Sequence, residues 1–284
     1  MESNIKLFKE LILSKLNSIT KSWSNASLLS DSMNYTLLNC GKLARSIIVL
    51  MGLNNLNKDY LEAVDVACAL EMIQSYSLIH DDLPEMDNAT FRRGKLTNHL
   101  VHGAGQALLA GDALLTESFK VITSSNLNSD IKLELIDLFV QKAGTKGVCY
   151  GQSLDIINEY QPFEEWNDVE KVIKHKTCAL FEIAFMSIGI IGSQDIQVIR
   201  KLEEIGYKTG LAFQIKDDLN DELSSSSETG KDTGLDVNKN TYHKIFGIEK
   251  ANEYIDELLT EIKEELKNIF NSDEIYCYLK SIMK

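Results

Sequence analysis

Apolar residues recur at three- and four-residue spacings along nearly the whole chain, and clean two-residue alternation is almost absent. The spacing predicts helices over 5–19, 32–39, 43–53, 104–123, 131–159, 195–223, 247–269 and 273–283. Asp59-Tyr60-Leu61-Glu62 reads as a capping box. It opens a helix that carries Leu61, Val64, Cys68, Met72 and Ser75 at helical spacing. Asn167-Asp168-Val169-Glu170 caps another, running through Ile173, Leu180 and Ala184. The only two prolines are Pro84 and Pro162, so long helices can run uninterrupted. No Pro/Gly linker divides the chain and no internal repeat is visible, which makes 1–284 a single domain.

Two acidic clusters interrupt this apolar pattern. Tyr76-Ser77-Leu78-Ile79-His80 leads into Asp81-Asp82-Leu83-Pro84-Glu85-Met86-Asp87, and Arg92, Arg93 and Gly94 follow. Leu211-Ala212-Phe213-Gln214-Ile215 leads into Asp217-Asp218-Leu219-Asn220-Asp221. Carboxylates packed this closely repel, and a hard divalent cation relieves them with oxygen ligands alone. In the second cluster, Asp217 and Asp221 are four apart and Asp218 and Asp221 three apart, so all three share one helix face. In the first, the five residues from Asp82 to Asp87 would put them about 140° apart on a straight helix. Pro84 lies between them, so Asp87 is expected to return to the site from a bend. Arg92 and Arg93 then sit in a loop, placed either to grip a phosphate with forked donors or merely to offset the acid.

Composition narrows the class. The 29 basic and 42 acidic residues give a net charge of −13, a poor match for nucleic acid or anionic membranes. The hydrophobic share of 44% is enough for a sizeable core. Cys40, Cys68, Cys149, Cys178 and Cys277 form no CxxC pair and read as reduced thiols of a cytoplasmic protein. The N-terminus shows no signal-peptide pattern, and the weakly charged stretch 177–193 contains Glu182 and is short for a membrane span. Ser224-Ser225-Ser226-Ser227-Glu228-Thr229-Gly230 is either a solvated connector or a lid delivering Lys231 and Lys239 to a bound phosphate. His99, His102, His175 and His243 share no metal-ligand spacing, and Trp23 and Trp166 read as packing residues.

The order DDxxxxD, RRG and then DDxxD far downstream resembles the trans-prenyltransferases, the farnesyl/geranylgeranyl diphosphate synthases. The resemblance covers most of the chain. Gly41-Lys42 with Arg45, Ala110-Gly111-Asp112-Ala113-Leu114, Gly151-Gln152 with Asp155, His175-Lys176-Thr177, Phe213-Gln214 before Asp217-Asp218, and Gly230-Lys231 through Lys239 and Thr241-Tyr242 are all similar to family motifs.

The resemblance implies an all-α fold of ten or more helices around a central cavity, and a homodimer. It implies Mg²⁺, three ions in all with Mn²⁺ as a possible substitute, held by Asp81, Asp82, Asp87, Asp217, Asp218 and Asp221. Arg92, Lys176, Lys231 and Lys239 would contact the allylic diphosphate. Lys42, Arg45 and Arg93 would hold the diphosphate of isopentenyl diphosphate, and Thr177 and Gln214 would face the reacting carbons. The implied activity is head-to-tail condensation of isopentenyl diphosphate with dimethylallyl or geranyl diphosphate.

Three positions depart from the family pattern: Leu43 replaces an arginine, Ser46 a proline and Gln74 a histidine. Leu43 and Gln74 each remove a cationic partner near the second diphosphate, at about 1.5–3 kcal/mol per charge-assisted hydrogen bond. Either isopentenyl diphosphate binds weakly or nearby cations compensate. Tyr76 and Ser77 would floor the product pocket, and a ring at 76 favours a C15 product, with C20 the alternative. The rival readings are a silent partner subunit, which the intact aspartates oppose, and a terpene cyclase-like lyase.

Overall fold

The computed structural model describes residues 2–23, 27–223 and 239–283. The chain runs α1 (Glu2–Lys21), α2 (Ser27–Leu37), α3 (Ala44–Asn55) and α4 (Val64–Asp81), then a two-strand hairpin, β1 (Phe91–Arg92) and β2 (Lys95–Leu96). It continues with α5 (Asn98–His102), α6 (Ala104–Ser124), α7 (Ser129–Ala143), α8 (Val148–Tyr160), α9 (Trp166–Ile173), α10 (Ala179–Ile191) and α11 (Ile196–Leu223). The last helices are α12 (Tyr242–Phe246), α13 (Ile248–Phe270) and α14 (Glu274–Ile282).

Helices α4 and α10 are buried around almost their whole circumference and lie in the middle. From α4, Val66, Ala67, Leu70, Met72, Ile73 and Ile79 are all buried; from α10, Phe181, Ile183, Phe185 and Ile188 are. Helix α6 packs on α4, α11 packs on α10, and α3 touches both central helices. By contrast, α13 buries only one stripe (Ala251, Ile255, Leu258, Ile262, Leu266) and turns its glutamates and lysines outward. The two helices that end in the acidic clusters, α4 and α11, are therefore held by the core along their length.

Helix ends follow local chemistry. Asn128 accepts from the backbone N–H of Ile131 at 2.9 Å, and Asp195 accepts from those of Gln197 and Val198 at 2.9 and 3.0 Å. Several expected boundaries differ. Asp59 does cap, accepting from Leu61 N–H at 2.9 Å, but it opens a 3₁₀ turn, Tyr60–Ala63, before α4 begins. Helix α9 starts at Trp166, ahead of the expected Asn167 cap. The expected helix 131–159 is two helices, because the turn Gly144-Thr145-Lys146-Gly147 separates α7 from α8. Leu43 is not the first helical residue but the left-handed residue before α3, at φ 54°.

Candidate active site

Helix α4 delivers Asp81 at its C-terminal end. The Asp82 N–H still bonds Leu78 O (3.1 Å), and the chain then turns through Pro84 until the Asp87 N–H donates to Asp81 O at 2.9 Å. That bond closes the expected bend and returns Asp87 to Asp81. Burial raises all three carboxyls: Asp81 is moved up, and Asp82 and Asp87 are each pushed up to about 6. Lys176 is the strongest opposing charge on Asp81 and Asp87, and Arg92 on Asp82.

The arginine pair is in a hairpin, not a loose loop. Phe91 pairs with Leu96 and Arg92 with Lys95, and the turn residues Arg93 and Gly94 both have positive φ (53° and 73°), as a tight hairpin of primed type needs. The reversal sends the two arginines apart. Arg92 donates from Nε and Nη2 to Asp82 Oδ1, both at 2.7 Å. Arg93 donates from Nη1 to Asn39 O at 2.9 Å.

Lys176 and Thr177 lie in one turn of π-helix, Lys174–Cys178, where a continuous α-helix was expected. Such turns insert a residue and re-aim side chains, often at functional sites. Gly151 of α8 makes room for it: a Cβ there would stand 2.2 Å from the backbone nitrogen of Lys176. Lys176 Nζ donates to Asp155 Oδ2 at 2.6 Å, and Lys239 Nζ reaches the same oxygen at 3.1 Å and Glu159 Oε1 at 3.0 Å. Burial opposes the charge of Lys176, but Asp81, Asp155 and Asp87 outweigh it and hold the ammonium firmly protonated. Thr177 Oγ1 donates to Gln214 Oε1 at 2.7 Å, and Gln214 Nε2 donates to Asp218 Oδ1 at 2.8 Å. This relay ties the π-turn to the acidic end of α11. Asp217 and Asp218 are half-buried there and Asp221 is exposed.

Among the described residues, no three His, Cys, Asp or Glu side chains converge on one point closely enough to hold an ion as they lie. The donor set still fits a hard cation. It is oxygen-only, and at Asp81, Asp82 and Asp87 burial and neighbouring carboxylates make the ionised form costly without added positive charge.

The other cations lie at the start of α3. Arg45 is half-buried, donates from Nη1 to Gln74 Oε1, and stacks 4.3 Å from the centroid of the Phe181 ring. Burial lowers its pKa to about 10, against the pull of Glu71. Lys42 donates to Ile282 O at 2.8 Å. Leu43 is 3% exposed and belongs to the apolar core, so its side chain does not reach the cation group. Ser46 Oγ lies 2.9 Å from Ala67 O and 2.5 Å from Glu71 Oε1. Tyr76 is buried, its hydroxyl donating to Ala143 O at 3.4 Å and lying 3.8 Å from Cys149 Sγ, and its ring meets His80 edge-on at 5.8 Å. Ser77 Oγ is turned back to Gln74 O at 2.9 Å.

Lys231 and the serine-rich stretch fall outside the described residues. Two residues that sequence reasoning gave no role are Asp155, which gathers two lysines, and Glu71, buried beside Arg45. Asp155 stood in a quoted motif, Gly151-Gln152 with Asp155, which was the one available signal.

A polyprenyl synthetase family model matches residues 26–279. The chain belongs to the polyprenyl synthetase family. It is 42% identical to a farnesyl diphosphate synthase of Micrococcus luteus over 245 residues, 86% of this chain and 84% of that one. It is 35% identical to geranylgeranyl pyrophosphate synthase 4 of Arabidopsis thaliana over 94% of this chain and 74% of that one. The fold matches the geranyltransferase of Helicobacter pylori, solved with magnesium and isoprenyl diphosphate. That match has a TM-score of 0.83 at 30% identity and covers 99% of this chain and 96% of that one. The all-α family fold expected from the motifs is therefore the fold of this chain.

Proposed function

We propose that this protein condenses isopentenyl diphosphate head-to-tail with dimethylallyl or geranyl diphosphate, releasing diphosphate and giving farnesyl diphosphate. The observation that carries the reading is one constellation. Lys176 and Lys239 meet on Asp155, facing Asp81 and Asp87 across the mouth of the π-turn. An anionic leaving group placed there meets two ammoniums and Arg92 from the protein. Asp81, Asp82, Asp87, Asp217, Asp218 and Asp221 would hold magnesium, which supplies the remaining charge neutralisation when an allylic C–O bond breaks.

The chain's own residues do the rest. Lys176 and Lys239 bind and orient the allylic diphosphate, trading Asp155 for its oxygens. Thr177 and Gln214, linked to one another, form the wall beside the reacting carbons. Lys42, Arg45 and Arg93 hold the second diphosphate, with Gln74 orienting Arg45. The buried aromatic face of Phe181 under Arg45 keeps that side dry, which protects an allylic cation from water. The proton lost on closing the new double bond goes to the released diphosphate.

Tyr76 favours C15 over C20, because its ring fills the space beneath Asp81 and is held against α7 by Ala143 O. The protein acts as a homodimer in the cytoplasm. Leu100, Val101, Leu108 and Leu109 on α5 and α6 are between 44% and 52% exposed, an apolar face suited to a second copy. No helix among the described residues is long and apolar enough to cross a membrane. The test is to incubate the purified protein with Mg²⁺, geranyl diphosphate and isopentenyl diphosphate, strip the phosphates and weigh the alcohols. A C15 alcohol is expected; a C20 alcohol as main product overturns the chain-length reading.

A further inference from the structure

We propose that Tyr242 is the positioning residue for Lys239, acting through an aromatic anchor outside the catalytic constellation. Lys239 reaches Asp155 and Glu159 on α8 from the short segment before α12. Its main chain is pinned on one side by the Asn240 side chain, which donates to Phe163 O at 2.8 Å, and on the other by Lys244, whose ammonium donates to Lys239 O at 2.8 Å. Neither bond sets the direction in which the segment enters the site.

Tyr242 does. Its ring stands edge-on to Trp166 of α9 with centroids 4.8 Å apart, stacks on Tyr254 of α13 at 5.0 Å and 18°, and meets Phe246 at 4.7 Å. One ring thus wedges between two helices, three residues after the lysine. Edge-to-face and offset-stacked pairs have defined geometry, unlike aliphatic contacts. A ring held on two sides fixes the backbone at 242 in position and in rotation. The reach of Lys239 is set from that fixed point, which matters because a misplaced charge at a diphosphate costs much of its benefit.

The inference rests on the reading of Lys239 as a diphosphate ligand, and the test separates the two. The dissociation constant of inorganic diphosphate with Mg²⁺ is measured by calorimetry on the full chain, alongside steady-state kinetics. Tyr242→Ala is expected to weaken diphosphate binding about tenfold, the low end of what loss of a positioning group costs. It should also raise KM for the allylic substrate and leave KM for isopentenyl diphosphate in place. Tyr242→Phe keeps the ring contacts and restores most of the loss. Trp166→Leu, which removes a partner ring from another helix, shifts the same constants in the same direction and guards against a folding defect in Tyr242→Ala.

The deciding step is a double-mutant cycle. In a Lys239→Ala background, Tyr242→Ala is expected to add less than about twofold, because its effect passes through the lysine. Full additivity overturns the proposal, as does diphosphate binding that Tyr242→Ala leaves unchanged while Lys239→Ala weakens it. If Lys239→Ala itself leaves diphosphate binding unchanged, the site reading fails before Tyr242 is in question.

Discussion

The carboxylate of Asp155 accepts a hydrogen bond from Lys176 at 2.6 Å, and the acceptor is the oxygen that also faces Lys239. Burial pushes this carboxyl up, and the two lysines more than reverse it, holding it below the usual range. Asp155 compensates two half-buried ammoniums in the free protein. Under the proposed reaction it would stand in for the diphosphate oxygens and give the lysines up when that anion arrives.

Asp155→Asn should therefore destabilise the free protein by about 1.5 kcal/mol, because Lys176 and Lys239 lose their shared carboxylate and keep only Glu159 on Lys239 and the charges of Asp81 and Asp87 on Lys176. Magnesium diphosphate should recover part of this, so the ligand-induced rise in Tm is larger in the variant than in the wild type. Equal stability of the two proteins without ligand would show that Asp155 is not the counter-charge.

Gln74 and Leu43 separate under the structure. Gln74 accepts from Arg45, so Gln74→Leu leaves a half-buried guanidinium donor unmet and should raise KM for isopentenyl diphosphate about tenfold, with allylic KM unchanged. Leu43 lies in the core, so Leu43→Arg should lower Tm and not improve that KM. A stable Leu43→Arg protein with a lower isopentenyl KM would mean that residue 43 turns toward the site after all. Gln74→His alone tests the departure from the family pattern, and an unchanged KM there would show that the neighbouring cations compensate.

Tyr76→Ala should lengthen the product from C15 to C20 or beyond, read by mass after phosphate removal. Truncation opens space directly below the Asp81 end of α4, between Ala143 and Cys149. An unchanged C15 product would leave Tyr76 as a core residue only.

Glu71 carries a pH signature. Ser46 Oγ–H lies within donor range of two oxygens, Ala67 O and Glu71 Oε1, beside the Arg45 guanidinium. Burial raises its pKa above the ordinary 4.5, against the hydrogen bond from Ser46 and the charge of Arg45. Just above pH 4.5 the folded state then holds this proton more tightly than the unfolded chain does. Glu71's own contribution to stability is fully present below about pH 4.5 and declines as pH rises from there toward the folded-state value. Glu71→Gln removes the titrating carboxyl, so its Tm should rise relative to the wild type as pH goes from 4.5 to 7. A gap that is the same at both pH values would contradict a raised pKa at Glu71.

What was legible in the sequence follows from how local each feature is. The aspartates of both clusters, the bend that returns Asp87 and the helices bearing them are set by neighbours within a few residues, and each is where the pattern put it. Asp155 meets lysines 21 and 84 residues away, a relation that only the packing of α8 against the π-turn creates. The π-turn differs from an α-helix by one backbone register, and side-chain periodicity barely records that. The burial of Leu43 depends on a left-handed φ at a residue type that seldom adopts it, so an arginine pattern projected onto a regular helix start aimed it wrongly. The hairpin at Arg93 was hidden for the same reason.

The most direct measurement of the central claim is the rate of diphosphate release by the purified protein with Mg²⁺ and geranyl diphosphate, with and without isopentenyl diphosphate. Release that requires both substrates and matches the farnesyl diphosphate formed mole for mole is the expected result. Equal release without isopentenyl diphosphate, accompanied by a hydrocarbon or an alcohol, would make the protein a lyase. No release under either condition would make it a partner subunit.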